Sequence, residues 1–586
     1  MIRSESYLVS NQQMNFFRRH TFFNINKKDV PVAPLVVLLF VFLLVQWTTQ
    51  SDYGITWDSG IGELYLGDKY LRFYATGDLD YLDPKKDNIE LYDRPDHPDF
   101  YRDGNSYSRH KAYELSGFSH TVSALTKHVF YTLTGILDPI DAHYIAITLF
   151  MIVLSVAIYF SIYPLYGGYA AITSLLFLIC HPRFYMHLHT NLKDVGVACM
   201  IGVTILMFRH AILKRHPWKI IACAVVAGLA LATKANALFI APIVLPWFLY
   251  VLYQRRSEAQ KPVLRLGELM ALLVFPLVVA VVWVLAWPIM LDDFPSNIVK
   301  YFSWLIDQGV GGPDHWNSRP FELVLFATPI AFHIAFLSGV IVLVFQQFKT
   351  RRNLEFVILI FFWLLIPILR VSVPTAKDFN GIRHWLAYLP AYSMIAGIGV
   401  SAVIRWIGRF KIGRNHFIAV MLVAVLILPT VYWNVTRHPF QVVYYSPLIG
   451  RIKGAMAAKR GDSSTDYWGS SYRQGYKWIN DQVEQGAIIT SGVAPHLVRL
   501  MAKTRLRDDL SYMDFPQVIE LLKKHKLENP CYVMYVRIPS RIRKMPYLEK
   551  LDQLLDPSYE IVVDGVPILT VLKLELNEEQ YTSVFD

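Results

Sequence analysis

The chain has 586 residues, of which 54% are hydrophobic and 14% aromatic, while only 18% are charged. Soluble domains carry about 25% charged residues, so this composition excludes an ordinary soluble globular enzyme. The net charge of +11 does not indicate a nucleic-acid partner, because many of the basic residues lie in short loops between apolar runs.

Eleven apolar runs reach or approach the length that crosses a bilayer, which is about 20 residues in a helix. In chain order they lie near residues 31–49, 141–163, 168–181, 194–208, 220–233, 236–253, 266–289, 321–346, 355–369, 384–404 and 416–434. No small-residue cleavage site follows the first run, so we interpret it as a retained anchor. The four cysteines show no paired spacing, and we expect no structural disulfide.

The short loops differ in charge between the two sides of the membrane. Those on one side hold 15 Lys and Arg residues, against 8 on the opposite side. Basic loops stay in the cytoplasm, so residues 1–30 are predicted to be a cytoplasmic tail, and the odd span count places the C-terminus outside. The membrane region 31–434 then has an extracytoplasmic first loop, residues 51–118, and is followed by an extracytoplasmic tail, residues 435–586.

The two outer segments have different patterns. In the first loop, Gly62–Tyr74 is amphipathic and typical of a helix in the membrane interface. The tail alternates helical and β-rich runs, which predicts an α/β domain. Its expected helices are Tyr472–Glu484, Pro516–His525 and Pro546–Leu555, and its expected strands are Ala487–Ser491, Cys531–Arg537, Tyr559–Val563 and Val566–Leu574. Asp564-Gly565 between the last two strands predicts a hairpin turn.

Polar residues cluster at the predicted outer face in three stretches, after span one, between spans three and four, and before span ten. The first contains Asp58, which is flanked by Trp57 and apolar residues. Partial desolvation there would raise its basicity toward that of a general base. The alternative interpretation is a solvated loop aspartate.

The other two stretches supply another carboxylate and several cations. Asp194 begins an apolar helix, where a carboxylate also stabilises the helix dipole, and Lys193 is either a phosphate ligand or a snorkelling anchor. Lys234 lies between two apolar runs with no room for a long loop, so its charge must face a polar cavity or the interface. Arg383 at membrane depth needs an anion, either Asp378 or a lipid phosphate.

Three histidines, His181, His187 and His189, lie in the second stretch. Their spacing is mixed and no cysteine is near them, so the pattern is more typical of interfacial polar residues than of a metal site.

Several short motifs at these places resemble the polytopic GT-C glycosyltransferases, specifically bacterial members grouped with family 39. These proteins are related to protein O-mannosyltransferases and to the lipid A aminoarabinose transferase. The motifs occur in the order of that branch and cover most of the chain. They are Gly54-Ile-Thr-Trp-Asp58-Ser59, Tyr65-Leu-Gly67-Asp68, Asn191-Leu-Lys193-Asp194, Arg383-His384-Trp385-Leu386, His438-Pro-Phe-Gln441 and Asp466-Tyr467-Trp468-Gly469.

The resemblance implies an α-helical GT-C-like fold in the bacterial inner membrane with an active site on the outer face. It implies inverting transfer of a sugar from a polyprenyl-phosphate donor to a lipid, glycan or protein acceptor. Asp58 would be the catalytic base, and Asp194 with Lys193 would organise the phosphate or a divalent metal ion held by the two carboxylates. Arg383, His384 and Lys234 would bind the donor phosphate.

One position departs from the branch, which often has Asp-Glu where this chain has Asp58-Ser59. Glu63 or Asp68 is the candidate replacement for the missing carboxylate, or a support for the loop. A lipid-linked sugar flippase or transporter is the competing function, but it would show matched repeats and broken helices, and neither is visible. An interaction protein is a third class, and it gives no reason for the loop carboxylates to converge with Arg383.

Overall fold

The computed structural model describes residues 30–83, 85–86, 88, 114–115, 117–257, 262–351, 353–378, 380–408, 416–458 and 461–585. The predicted cytoplasmic tail lies outside these ranges except for Val30, and so does the middle of the first loop. Of the basic loop residues used for the orientation, Lys261, Arg352, Arg409, Lys411 and Arg414 also lie outside them.

The described chain is mainly helical, as its composition predicts. Its α-helices are α1 Ala33–Thr49, α2 Leu64–Thr76, α3 Phe118–Lys127, α4 Pro139–Tyr166, α5 Gly168–Ile179, α6 Pro182–Thr190, α7 Leu192–Leu213, α8 Pro217–Thr233, α9 Ile240–Ser257, α10 Leu266–Leu285, α11 Ile289–Asp292, α12 Ser296–Gly309, α13 Arg319–Phe326, α14 Ile330–Thr350, α15 Leu354–Arg370, α16 Leu389–Ile407, α17 His416–Thr436, α18 Arg451–Ala457, α19 Tyr472–Gln482, α20 Pro495–Arg505, α21 Phe515–Lys523, α22 Pro539–Ile542, α23 Pro546–Leu554 and α24 Glu578–Phe585. Short non-α turns at Ser59–Glu63, Ala235–Phe239 and Arg383–Tyr388 lead into α2, α9 and α16.

Eight helical segments in the described ranges are long and apolar enough to cross a membrane, and α5 and α8 are shorter apolar helices. A helix lies at each of the eleven predicted runs. The run 321–346 is wrong as a single span, because it divides into α13 and α14 around Pro329. Proline has no N–H to donate and disfavours helical backbone in the residue before it, so the helix stops there.

Burial distinguishes central from peripheral helices. α7 and the segment Arg383–Ile407 are almost entirely buried by other parts of the chain, whereas α1 and α10 leave most of their apolar side chains exposed. Exposed Val, Leu and Phe on a long helix are stable against lipid but not against water. The two central segments are therefore surrounded by protein, and Asp194 and Arg383 lie at their N-terminal ends.

The tail forms an α/β domain around a five-stranded sheet. Its strands are β1 Ile488–Thr490, β2 Ser511–Tyr512, β3 Cys531–Val536, β4 Tyr559–Val563 and β5 Val566–Lys573, in the order β2-β1-β3-β5-β4. The first three are parallel, and β5 is antiparallel to both β3 and β4. Asp564 and Gly565 have φ angles of 47° and 79°, as a tight hairpin turn requires, which confirms the predicted hairpin.

Two sequence expectations in the outer segments need correction. The pattern missed the helices α18, α20, α22 and α24 and the two-residue strand β2. The stretch Gly62–Tyr74 is helical from Leu64, but Leu64 to Tyr70 are buried, with α2 packed against α3. That half of the helix therefore lies inside the protein rather than on a membrane surface.

Candidate active site

Asp58, Asp194 and Arg383 meet at one point, although they are far apart in the chain. Arg383 donates through Nη1 to Asp58 Oδ2 at 2.9 Å and to Asp194 Oδ2 at 3.1 Å. The three residues come from the first loop, the start of α7 and the turn before α16. The structure thus brings together the residues that the topology placed at one face, while their chemical roles stay predictions.

Local structure holds each carboxylate in place. Asn191 caps α7 by accepting a hydrogen bond from the Asp194 N–H at 3.1 Å, and its amide donates to Asp194 Oδ2 at 3.0 Å. Asp58 immediately precedes the turn Ser59–Glu63, in which Gly62 has a φ of 121° that side chains other than glycine rarely adopt. The turn lets the chain bend back into α2 directly after Asp58.

Two lysines complete the ion-pair network. Lys193 contacts Glu63 Oε1 at 2.6 Å and Asp58 Oδ2 at 3.3 Å, and Lys234 contacts Asp194 Oδ1. Lys234 follows α8 directly, and its charge is paired with the Asp194 carboxylate.

The members of this network differ in access to solvent. The side chains of Asp58, Lys193 and Lys234 are 15%, 14% and 18% exposed, whereas those of Asp194 and Arg383 are 1% and 6% exposed. Asp58 and the two lysines are therefore in contact with solvent, while Asp194 is buried and pairs with Lys234 and Arg383.

His384 follows Arg383 and is half-buried. Its carbonyl oxygen accepts hydrogen bonds from Asn236 at 3.0 Å and from Arg370 at 3.1 Å. Arg370 was not recognised from the sequence, where it reads as one more basic residue at the end of a span. With Lys193, Lys234 and Arg383 it makes four cations around three carboxylates.

Glu63 lies inside the network. Burial alone would raise the pKa of its carboxyl group, but the charges of Lys193 and His120 outweigh burial and lower the pKa to about 2. His120 Nε2 is 3.4 Å from Glu63 Oε2. Glu63 is therefore ionised at neutral pH and is paired with Lys193, and its low pKa makes its carboxylate a weak base.

We expect Glu63→Gln to destabilise the protein at pH 7. A pKa of about 2 in the folded chain, against 4.5 for a free glutamate, corresponds to at most about 3 kcal/mol. Because the folded pKa is the lower one, this stabilisation is present above about pH 4.5 and is lost as the pH falls toward 2. Melting in detergent should show a smaller difference between variant and wild type at pH 4 than at pH 7. A Glu63→Gln variant with the melting temperature of wild type at pH 7 would contradict the stabilising role of the ionised Glu63 carboxylate.

Asp68 lies outside the network. Its Oδ2 is 3.0 Å from Lys127 Nζ and 3.5 Å from His143 Nε2. Burial raises the pKa of Asp68, but these two neighbours lower it below its usual value. Asp68 therefore pairs with Lys127 and His143 and not with Lys193 or Arg383, and its role as a replacement for the carboxylate missing at Ser59 stays a prediction. It links α2 to α3 and supports the loop.

The three histidines of the second stretch do not converge. His181 contacts Thr328 at 3.2 Å, His187 contacts Asn191 at 3.2 Å, and His189 contacts Thr49 at 2.9 Å. In the described ranges no three His, Cys, Asp or Glu residues are grouped as metal ligands.

The Asp58 and Asp194 pair does not fit a resident divalent ion either. One guanidinium nitrogen lies between the two carboxylates, in the place such an ion would take, and Lys193 and Lys234 bind the same carboxylates. The donor set is already neutralised by cations of the chain.

The tail contributes directly to this site, which the sequence pattern did not reveal. The guanidinium carbon of Arg383 lies 4.4 Å from the ring centroid of Trp468, in a cation–π contact. The Trp468 carbonyl accepts the Trp57 N–H at 3.1 Å, next to Asp58. The buried Asp466 carboxylate accepts N–H groups of its own loop, including Ser471 at 2.7 Å. The motif Asp466 to Gly469 is therefore a wall of the site.

Asp378, the alternative partner of Arg383, lies elsewhere. It contacts Arg319 at 3.6 Å and accepts from Asn317 at 3.2 Å. The anions that Arg383 needed at membrane depth are Asp58 and Asp194.

Two solved structures are similar to this chain at low identity. The crystal structure of ArnT from Cupriavidus metallidurans bound to undecaprenyl phosphate is similar to this chain at 15% identity and a TM-score of 0.47, over 92% of this chain and 98% of that one. The oligosaccharyltransferase AglB from Archaeoglobus fulgidus, in complex with an inhibitory peptide and a dolichol-phosphate, is similar at 10% identity and a TM-score of 0.37, over 80% and 69% of the chains. No curated protein sequence matches the chain.

The family comparison covers the part of the membrane region that contains Lys193, Asp194 and Lys234. Residues 122–283 match the sequence profile of the family described as Dolichyl-phosphate-mannose-protein mannosyltransferase. The resemblance seen in the short motifs is thus confirmed over residues 122–283, where the chain is similar to the dolichyl-phosphate-mannose-protein mannosyltransferases.

Proposed function

We propose that this protein is a membrane glycosyltransferase that moves a sugar from a polyprenyl-phosphate donor to an acceptor, with inversion at the anomeric carbon. The observation that carries the proposal is the meeting of an accessible carboxylate, Asp58, with two accessible lysines over a buried Arg383–Asp194 pair. The family that residues 122–283 match is named for a lipid-phosphate sugar donor and a protein acceptor.

The leaving group explains the excess of cations. When the bond between the anomeric carbon and the phosphate oxygen breaks, negative charge develops on the phosphate. Lys193 and Lys234 are accessible enough to meet that charge, and the cations of the site outnumber its three carboxylates. Binding one phosphate group therefore brings the site closer to neutrality.

The acceptor needs a proton acceptor within reach. Both ion pairs of Asp58 use Oδ2, which leaves Oδ1 to take the proton from an acceptor hydroxyl or amine. The acceptor oxygen or nitrogen then attacks the anomeric carbon from the side opposite the phosphate, and the configuration inverts. Asp58 later returns the proton to water.

This arrangement favours a transferase over the other two classes. A flippase or transporter would place ionisable residues along a path near the middle of the membrane, whereas these residues lie at helix ends and in loops. A scaffold protein would have no use for loop carboxylates that converge on one arginine.

The proposal is tested by supplying the purified full-length protein, in detergent with an extract of its host membrane, with undecaprenyl-phosphate sugars. We expect release of undecaprenyl phosphate, with most of the activity kept in excess EDTA because Arg383, Lys193 and Lys234 already neutralise the carboxylates. Release of undecaprenyl phosphate that requires the protein but stops in EDTA would overturn the expectation that no metal ion is needed, and it would leave the transferase proposal in place. No release with any of a panel of hexose and pentose donors would overturn the transferase.

We also propose that the site faces the outside of the bacterial inner membrane, since the loop charges are 15 against 8. Reporter fusions after Arg414 and after Asp586 should then lie on opposite sides, the first of them cytoplasmic. Both reporters on the same side would contradict this orientation.

A further inference from the structure

Trp57, the residue before Asp58, is covered by a cation from the tail. The guanidinium carbon of Arg541 lies 5.1 Å from the Trp57 ring centroid. Arg541 belongs to the short turn α22, and its side chain is exposed. The tail therefore places an accessible positive charge directly beside the segment that carries the proposed base.

Arg541 is not alone there. Arg543 and Lys544 are also exposed, and none of the three forms an ion pair with a described residue. Asp462, a carboxylate close to this turn, is bound instead to the N–H and hydroxyl of Ser540.

The other arginines of the described part of the tail behave differently, because each is paired with a carboxylate. These pairs are Arg437–Asp564, Arg451–Asp564, Arg473–Asp141, Arg499–Asp514, Arg505–Asp138, Arg507–Asp509 and Arg537–Asp552. Within the described part of the tail, the arginines without a carboxylate partner therefore occur together, at the turn that touches Trp57. A cation held over an aromatic ring keeps N–H groups at its edge for an anion.

We propose that Arg541, Arg543 and Lys544 form a binding site for an anionic group of the acceptor, and that the acceptor is a phosphate-bearing molecule. This inference rests on the proposed function and adds the acceptor's chemical class to it. The site is separate from the central cations, which the donor phosphate occupies. An acceptor anchored by its phosphate at the tail would present a hydroxyl or amine to Asp58, one residue from Trp57.

The test uses the full-length protein in a nonionic detergent, saturated with undecaprenyl phosphate so that the central cations are occupied. Inorganic pyrophosphate is the probe, and its affinity is measured for wild type, for R541A/R543A/K544A and for the control K453A/K524A/K526A. The control also removes three cations from exposed positions of the tail. We expect at least tenfold weaker pyrophosphate binding in the first variant and little change in the control.

A parallel measurement distinguishes an acceptor phosphate from a lipid headgroup. The association of each protein, in micelles, is measured with vesicles of pure phosphatidylcholine and with vesicles that also contain phosphatidylglycerol, and the two values are compared. If R541A/R543A/K544A lost its association with the phosphatidylglycerol vesicles but bound pyrophosphate as wild type does, the three cations would be a membrane anchor. That result would overturn the acceptor site. Equal pyrophosphate affinity in all three proteins would also overturn it. Binding of undecaprenyl phosphate is measured first. If it does not bind, the proposed function fails, and this failure is distinguished from failure of the acceptor site, which is tested afterwards with pyrophosphate.

Discussion

Replacement of Asp58 by asparagine is expected to lower turnover by about 100-fold or more, the usual range for loss of a general base. Asparagine keeps the shape of the side chain and can still contact Arg383 and Lys193, but it cannot take up a proton. Binding of undecaprenyl phosphate should be largely kept, because Lys193 and Lys234 remain. The measurement is sugar transfer under single-turnover conditions, together with donor affinity for the same preparation.

Asp52→Asn is the matched control for this experiment. Asp52 lies six positions earlier in the same loop and contacts His438 at 3.0 Å and Lys477 at 3.5 Å rather than the central network. Its variant should keep activity close to that of wild type. A fully active Asp58→Asn protein would remove the base from the mechanism, and equal losses in the two variants would point to a general disturbance of the loop.

Replacement of Arg383 by lysine or alanine is expected to weaken donor binding by about 30-fold or more. Without Arg383, the two carboxylates that it holds, Asp58 and Asp194, would face the donor phosphate unpaired, and like charges placed together cost several kcal/mol of binding free energy. Lysine keeps the charge, but its ammonium group is not planar. It therefore cannot stack on Trp468 as the guanidinium group does while it bridges Asp58 and Asp194. Turnover should also fall, since Asp58 loses a partner that positions it.

Donor affinity is measured with undecaprenyl phosphate, and Arg319→Lys serves as the control. Arg319 pairs with Asp378 at 3.6 Å away from the central network, so its variant should bind the donor normally. Unchanged affinity in both Arg383 variants would assign this arginine a purely structural role.

The membrane half of the site was accessible to sequence reasoning because topology restricts where residues can lie. Once the spans are oriented, residues at their outer ends must share one face, and buried charges must find partners. That argument placed Asp58, Asp194 and Arg383 together. It left Asp378 and a lipid phosphate as alternative partners of Arg383 and did not identify Asp58 or Asp194 as its partners, because the pairing depends on how loops fold over the helix ends.

The tail half of the site could not be predicted in the same way. Trp468 and Arg541 lie more than 400 positions after Trp57, and a local pattern contains no information on which distant surface an aromatic residue will cover. The motif Asp466 to Gly469 was recognised in the sequence. Its buried carboxylate, however, accepts hydrogen bonds from the N–H groups of its own loop, which the motif alone did not indicate. Glu63 and Asp68 illustrate the same limit, since only packing reveals that the first contacts Lys193 and the second contacts Lys127.

The contacts between the tail and the first loop also determine when activity can appear during synthesis. Gly54 donates its N–H to Ser470 Oγ at 3.2 Å, Trp57 donates to Trp468, and Arg473 donates to the Tyr53 carbonyl at 2.8 Å. Ribosomes add about 5–20 residues per second, so the segment around Asp58 is made roughly 20–80 s before its partners in the tail. Nascent and truncated chains therefore lack one wall of the candidate active site. If the proposed function holds, such chains are inserted in the membrane but do not consume the lipid-linked sugar.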